Sequence, residues 1–247
     1  MIEICVEGVD GLISAQLAGA DRVELCAGLI EGGLTPSVGV VRRALAVATV
    51  PFHVIVRPRG GDFFYSEHEF ASMLLDVEGL RELGVAGVVV GCLTRDGHID
   101  EGRMSALVAA AGPLSVTCHR AFDMTADYAE ALEALVRCGV DRVLSSGQRD
   151  TALEGLPILR RTVAAARGRI KVMACGELDE GNIATVLKES GADELHFAAL
   201  RTAPSAMAFR NPHVGMGGDD RDREYRLTLT DEAAVRRIIA AARGQSA

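Results

Sequence analysis

Short runs of Val, Leu and Ile alternate along this chain with longer stretches whose apolar positions recur at helical spacing, and in four places a glycine separates the two. The phrases are LAGADRVEL (17 to 25), ELGVAGVVVG (82 to 91), RCGVDRVLSS (137 to 146) and ESGADELHF (189 to 197). In each, a helix gives way at a Gly able to adopt the left-handed turn, and an extended apolar run begins at once. The copies start roughly 50 to 65 residues apart, about two βα units, with further strand-like runs between them. Strands are predicted at about 2–6, 22–26, 53–57, 86–91, 115–119, 141–145, 170–174 and 194–198. Eight strands alternating with helices describe an α/β chain, a single (β/α)8 barrel whose chemistry belongs at the C-terminal ends of its strands.

Helix starts are punctuated as such a chain requires. Thr35 followed by Pro36, Ser66 with Glu69 as a capping box, Asp100 and Thr125 are the predicted caps, and a last helix starts near Asp231. No linker divides the chain, so residues 1–247 are expected to form one domain. One segment breaks the rhythm. From Arg201 to Leu229 the chain is too long for an ordinary βα loop and is expected to serve as a lid or an oligomer contact.

The period-two pleat then sorts side chains by face. Glu3 and Cys5 share one face of the first strand, and Glu24 and Cys26 share one face of the second, with Ile2, Ile4, Val6, Val23 and Leu25 opposite. The apolar set suits the layer between barrel and helices, so the repeated E-x-C pattern points into the barrel. A buried carboxylate is costly unless paired, so Glu3 and Glu24 require cationic or donor partners. His53, Ile55 and Arg57 share a face of the third strand, and Arg57 with Arg59 stand at its end, where they could clamp a carboxylate or phosphate. Gly60 and Gly61 would let backbone approach a ligand, and Asp62 could orient either arginine. Thr117 and His119 share the inward parity of the fifth strand, Cys118 faces the helices, and His196 ends the eighth strand inside.

Charge and composition narrow the partners. A formal charge of −8 with no Lys/Arg block argues against nucleic acid. No basic, apolar leader precedes Ile2 and no apolar run reaches about 18 residues. The expectation is a cytoplasmic protein without a membrane segment, acting on a small molecule or ion. Six cysteines without CxxC spacing read as reduced thiols. No nucleophile elbow, dinucleotide fingerprint or P-loop is present.

The strings EICV, GADRVELC, EGGLTPS, RPRGGDF, HRAFD, SSGQ, GRIKVM and FRNPHVGMGG, in this order, make the chain resemble the CutC family from residue 2 to the last helix. The resemblance implies a TIM barrel, a cytoplasmic location, a homodimer and the handling of Cu(I). The positions that match the family's strand-end residues are Glu3, Cys5, Glu24, Cys26, Arg57, Arg59, His119 and Asp123. Two departures stand out. Cys118 replaces an aromatic residue before HRAFD, and the loop after the seventh strand reads ACGEL with only Gly176, where relatives carry a glycine run. The latter weakens any phosphate-site analogy.

Two functions of different classes follow. Cu(I) prefers thiolates, and Cys5 with Cys26 on adjacent strands could supply them. Alternatively, the barrel is an enzyme on a small anionic metabolite (isomerisation, aldol-type cleavage or hydrolysis). Arg57, Arg59, Gly60, Gly61 and His196 would then bind the anion, and Glu3, Glu24, His119 and Asp123 would supply acid and base groups.

Overall fold

The glycine joints act as helix stops: at Gly84, Gly139 and Gly191 φ is 76°, 78° and 69°, and each directly follows a helix and leads into a strand. A computed structural model describes residues 1–211, 213–215 and 221–244. Its strands are β1 (Ile2–Glu7), β2 (Arg22–Cys26), β3 (Phe52–Ile55), β4 (Gly87–Val90), β5 (Ser115–Cys118), β6 (Arg142–Ser145), β7 (Lys171–Ala174) and β8 (Glu194–Phe197). Between them run α1 (Gly8–Leu17), α2 (Val38–Val47), α3 (Glu67–Leu83), α4 (Glu101–Ala111), α5 (Tyr128–Cys138), α6 (Ala152–Ala166) and α7 (Ile183–Ser190). The strands pair in parallel from β1 to β8, and β8 returns to β1 with Glu3 opposite His196, closing a TIM barrel.

Because each strand is covered by helices outside and by side chains inside, its apolar positions divide between two layers. Ile4, Val6, Val23, Leu25, Val54, Val88 and Val90 are fully buried within the larger apolar cluster, which also contains helix residues Leu12, Val41, Met73 and Leu107. Cys5, Cys26, Ile55 and Val89 form a second cluster, and Leu144, Met173 and Cys175 a third. Cys118 belongs to the larger cluster, as its parity predicts.

Strand β4 contributes space to the interior. Gly87 and Gly91 flank Val89 on its inward face. A Cβ at Gly87 would lie 2.6 Å from His53 Nε2 and from the Ser115 carbonyl oxygen, and one at Gly91 would lie 2.5 Å from His119 Cε1. The two imidazoles occupy the room these glycines leave.

Two predicted caps need correction. The α2 cap is Ser37, whose hydroxyl accepts from the Val40 N–H, while the Thr35 hydroxyl is bonded to the Arg57 backbone. The α5 cap is Asp127, and Thr125 closes the short 3-10 turn Arg120–Met124 that precedes it. In both places a stronger acceptor stands two residues later. The Ser66–Glu69 capping box and the Asp100 and Asp231 caps form as predicted.

After β8 the long segment builds a two-stranded antiparallel ribbon, β9 (Leu200–Pro204) with β10 (Arg226–Thr230), before α8 (Glu232–Ala242). Thr230 at its base packs against Gly11 of α1. Residues 212 and 216–220 of this segment lie outside the described residues. None of the described helices is long and apolar enough to cross a membrane.

Gly87→Ala should lose about 1–3 kcal/mol of stability in urea unfolding, because a backbone carbonyl cannot yield as a flexible side chain can. Gly79→Ala, in α3 with nothing within 4 Å of its Cβ position, should instead gain up to about 1 kcal/mol. Equal effects at the two sites would contradict this reading of β4.

Candidate functional site

A chain of alternating charge runs up the inside of the barrel. On its floor, Arg142 of β6 donates from Nε to Glu194 of β8 at 2.7 Å and from a terminal nitrogen to the Thr117 hydroxyl at 3.1 Å. Arg22 of β2 bridges Glu194 to Glu3 of β1. Glu3, 1% exposed, meets His196 Nδ1 at 2.7 Å, and His196 Nε2 lies 3.7 Å from Glu24. Burial pushes the Glu3 carboxyl up, but His196 and Arg22 outweigh it and hold it well below the usual carboxylate range. Burial alone would make His196 neutral, yet its hydrogen bonds to Cys5 and Glu3 and the charge of Glu24 keep it protonated well above its ordinary value.

At the upper end of this chain Cys5 Sγ and Cys26 Sγ are 3.6 Å apart. They are diagonal neighbours, since Cys5 pairs with Glu24 and Glu7 with Cys26 in the β1–β2 register. With a Glu24 carboxylate oxygen, the two sulfurs form a buried set within 4.8 Å of one another. The thiol pair ionises unevenly. The hydrogen bond from Cys26, followed by His196, lowers Cys5 to about 5, while that same bond and burial raise Cys26. Burial and then the Cys5 charge raise Glu24. The result is a thiolate beside an imidazolium, with a second thiol and a carboxyl that holds its proton more tightly than usual alongside.

Cys5, Glu24 and His196 open onto a cavity of about 490 Å³ that is also lined by Ile55, Arg57, Phe63, His119 and Leu144. Arg57 is 6% exposed, and its terminal nitrogens donate to the carbonyls of Glu31, Gly33 and Gly61. His119 is 4% exposed. Its Nδ1 accepts from the Ala121 N–H at 3.1 Å, which leaves the proton of the neutral ring on Nε2. Burial, then the charge of Arg57, lowers His119 to about 3. Such a ring is a hydrogen-bond donor toward the cavity, and Nε2 is not placed to take a proton.

The other predicted residues are placed differently. Arg59 turns outward. Its side chain is 36% exposed and is bonded to Glu69, Asp62 and the Phe64 carbonyl, so the predicted two-arginine clamp does not assemble. Gly60 makes room for the Glu31 side chain, and the Gly61 carbonyl serves Arg57, so these glycines shape the arginine's seat. Asp123 lines the cavity, but its carboxylate is taken up by the Ser145 and Ser146 hydroxyls, the Ser146 and Gln148 N–H groups and Arg120. It braces the loop after β6.

Arg22, Arg142 and Glu194 were not among the predicted site residues, although the pleat held the signal. Arg22 stands two residues before Glu24, and Glu194 two before His196, so each shares the inward parity of a residue already singled out.

Burial lowers His53, on the barrel floor, to about 4 from an ordinary 6.5. Unfolded chains take up this proton below pH 6.5 and folded ones only near pH 4, so the neutral ring's contribution is complete above 6.5 and lost as pH falls. Glu24 shifts stability in the opposite sense, which makes a variant comparison the cleaner measurement. Relative to wild type, His53→Gln should gain up to about 1.4 kcal/mol for each pH unit lowered across this window. A stability difference independent of pH would contradict it.

Known proteins of this sequence pattern share the barrel and its length. The CutC family model matches residues 1–201. A family protein CutC from Mesorhizobium japonicum is 67% identical over 243 residues, covering 98% of this chain and 94% of that protein. The human copper homeostasis protein cutC homolog is 45% identical, covering 98% and 89%. A crystal structure of the CutC protein from Streptococcus agalactiae superposes with a TM-score of 0.76 at 32% identity, covering 80% of this chain and 97% of that one. With sequence and barrel agreeing over this extent, the chain belongs to the CutC family.

Proposed function

We propose that this protein binds Cu(I) at the mouth of its barrel through Cys5 and Cys26, with Glu24 beside them, as its part in copper homeostasis. The observation that carries the reading is the pair of buried sulfurs 3.6 Å apart on adjacent strands, with Cys5 lining a cavity and Cys26 directly behind it. The donor set fits the ion. Cu(I) favours soft thiolates in low coordination, and two sulfurs with one buried oxygen match that preference better than they match a hard cation. The name copper homeostasis protein, carried by the human relative, supports the same reading.

The protein contributes the thiolate and the surroundings. The hydrogen bond from Cys26, with His196 behind it, holds Cys5 ionised, which removes one of the two protons that metal binding must displace. Ile55, Val89 and Leu29 pack around the sulfurs and limit water there. Burial and the Cys5 charge raise the Glu24 carboxyl, and arriving positive charge would favour its ionised form. The six unpaired cysteines support a cytoplasmic setting. A homodimer belongs to the same reading, supported by exposed Leu200 and Leu227 on the ribbon and Met207 and Phe209 beside it.

Anaerobic titration of the reduced protein with Cu(I), against a coloured competing chelator, checks the assignment. Wild type should withdraw a defined equivalent. Cys5→Ser and Cys26→Ser should each weaken binding by more than the roughly 10–100-fold typical of losing a ligand's hydrogen-bond partner. Arg59→Ala, outside the cavity, should bind as wild type. Undiminished competition by both serine variants would overturn the site.

A further inference from the structure

The copper reading uses the β1–β2 wall of the cavity and leaves the adjoining wall, at the ends of β3 to β5, without a role. There Arg57 is a buried guanidinium whose bonding partners are three backbone carbonyls, and among the described residues no carboxylate lies within ion-pair distance of it. A buried charge without a counter-ion is costly, and the cost is recovered when an anion arrives. Its Nε–H has no hydrogen-bond partner, and neither has His119 Nε2. These are two buried, unpartnered nitrogens on side chains that line one cavity, with the buried Tyr65 hydroxyl close to Arg57.

Phe63 fixes them side by side. Its ring lies 5.2 Å from the Arg57 guanidinium carbon and 4.8 Å from the centre of the His119 ring. Gly91, at the end of the strand between them, leaves the space that the His119 ring fills. The His119 tautomer is set by the Ala121 N–H, so what faces the cavity is a donor N–H beside a cation. Ile55, Leu144 and Phe63 supply an apolar lining for the rest of a small ligand.

We propose that the cavity binds a small organic carboxylate, held by the Arg57 Nε–H and the His119 Nε2–H with its carbon skeleton against Phe63, Ile55 and Leu144. A carboxylate is favoured over a phosphate by what the neighbouring loops offer. Barrel phosphate sites draw on free backbone N–H groups after the last strands. Here the Ser146 and Gln148 N–H groups after β6 are spent on Asp123, the Gly147 N–H on the Ser145 hydroxyl, and the Cys175 N–H on the Ser145 carbonyl. A dianion would carry a second charge with no cation to meet it in a cavity also lined by Asp123, whereas a monoanion matches the single free charge of Arg57.

The test uses the full chain, reduced and metal-free, with pyruvate, acetate and inorganic phosphate as probes. Binding is followed by calorimetry and by the ¹⁵N signals of His119. Pyruvate or acetate should move the His119 Nε2 signal, and Arg57→Met should weaken that binding at least about tenfold, the loss of a charge-assisted hydrogen bond. Arg57→Lys, which keeps the charge but removes the Nε–H, should also bind more weakly and decides the matter if Arg57→Met does not fold. Arg59→Ala, outside the cavity, should bind carboxylate as wild type does, and Cys5→Ser should bind it no more weakly, which separates this site from the copper reading. Binding of phosphate but neither carboxylate, carboxylate binding that survives loss of Arg57, or a His119 signal unmoved by all three probes would each overturn the proposal.

Discussion

The interior of this barrel depends on one constraint: charged side chains that the strand pleat turns inward must neutralise each other where water cannot. Arg142, Glu194, Arg22, Glu3 and His196 meet it by alternating in sign from the floor toward the mouth, where Glu24 stands beside His196. Removing one member would leave its neighbours as uncompensated buried charges, at a cost of about 3–5 kcal/mol, comparable with the stability margin of a whole domain. The chain of charge therefore constrains every strand that contributes to it. β1, β2, β6 and β8 each carry at least one link.

The same chain sets the chemistry above it. His196 is protonated because Glu3 and Glu24 lie on either side, and Cys5 is ionised because Cys26 and His196 stabilise its charge. A thiolate at the mouth thus rests first on the neighbouring thiol and then on the ion pairing that begins on the floor. His53 and His119 show the opposite outcome. Neither touches a carboxylate, and burial keeps both neutral. Three histidines inside one barrel divide into one cation and two neutral rings according to their neighbours alone.

Much of this was legible in the amino-acid order. All eight strands fall where the apolar runs and glycine stops place them, and the inward parity of Glu3, Cys5, Glu24, Cys26 and His119 follows from the period of two. What remained hidden was set by distance across the fold. The partner of Glu3 is Arg22, on the next strand and in register with it, while Arg57 and Arg59, nearer the eye in a motif-led reading, go to backbone carbonyls and to the α3 cap. Asp123 reads as a free carboxylate in HRAFD, and only the approach of the β6 loop shows it consumed. The β9–β10 ribbon escaped because its two strands are separated by more than twenty residues, too long a connection to read as a hairpin.

The central claim is that this ionic architecture presents Cys5 and Cys26 together as ligands for a soft ion. X-ray absorption at the copper edge of the Cu(I)-loaded protein tests it most directly. The account predicts sulfur neighbours to the copper that are lost when both cysteines are replaced by serine. A copper environment of nitrogen and oxygen alone, or one unchanged in the double variant, would contradict it.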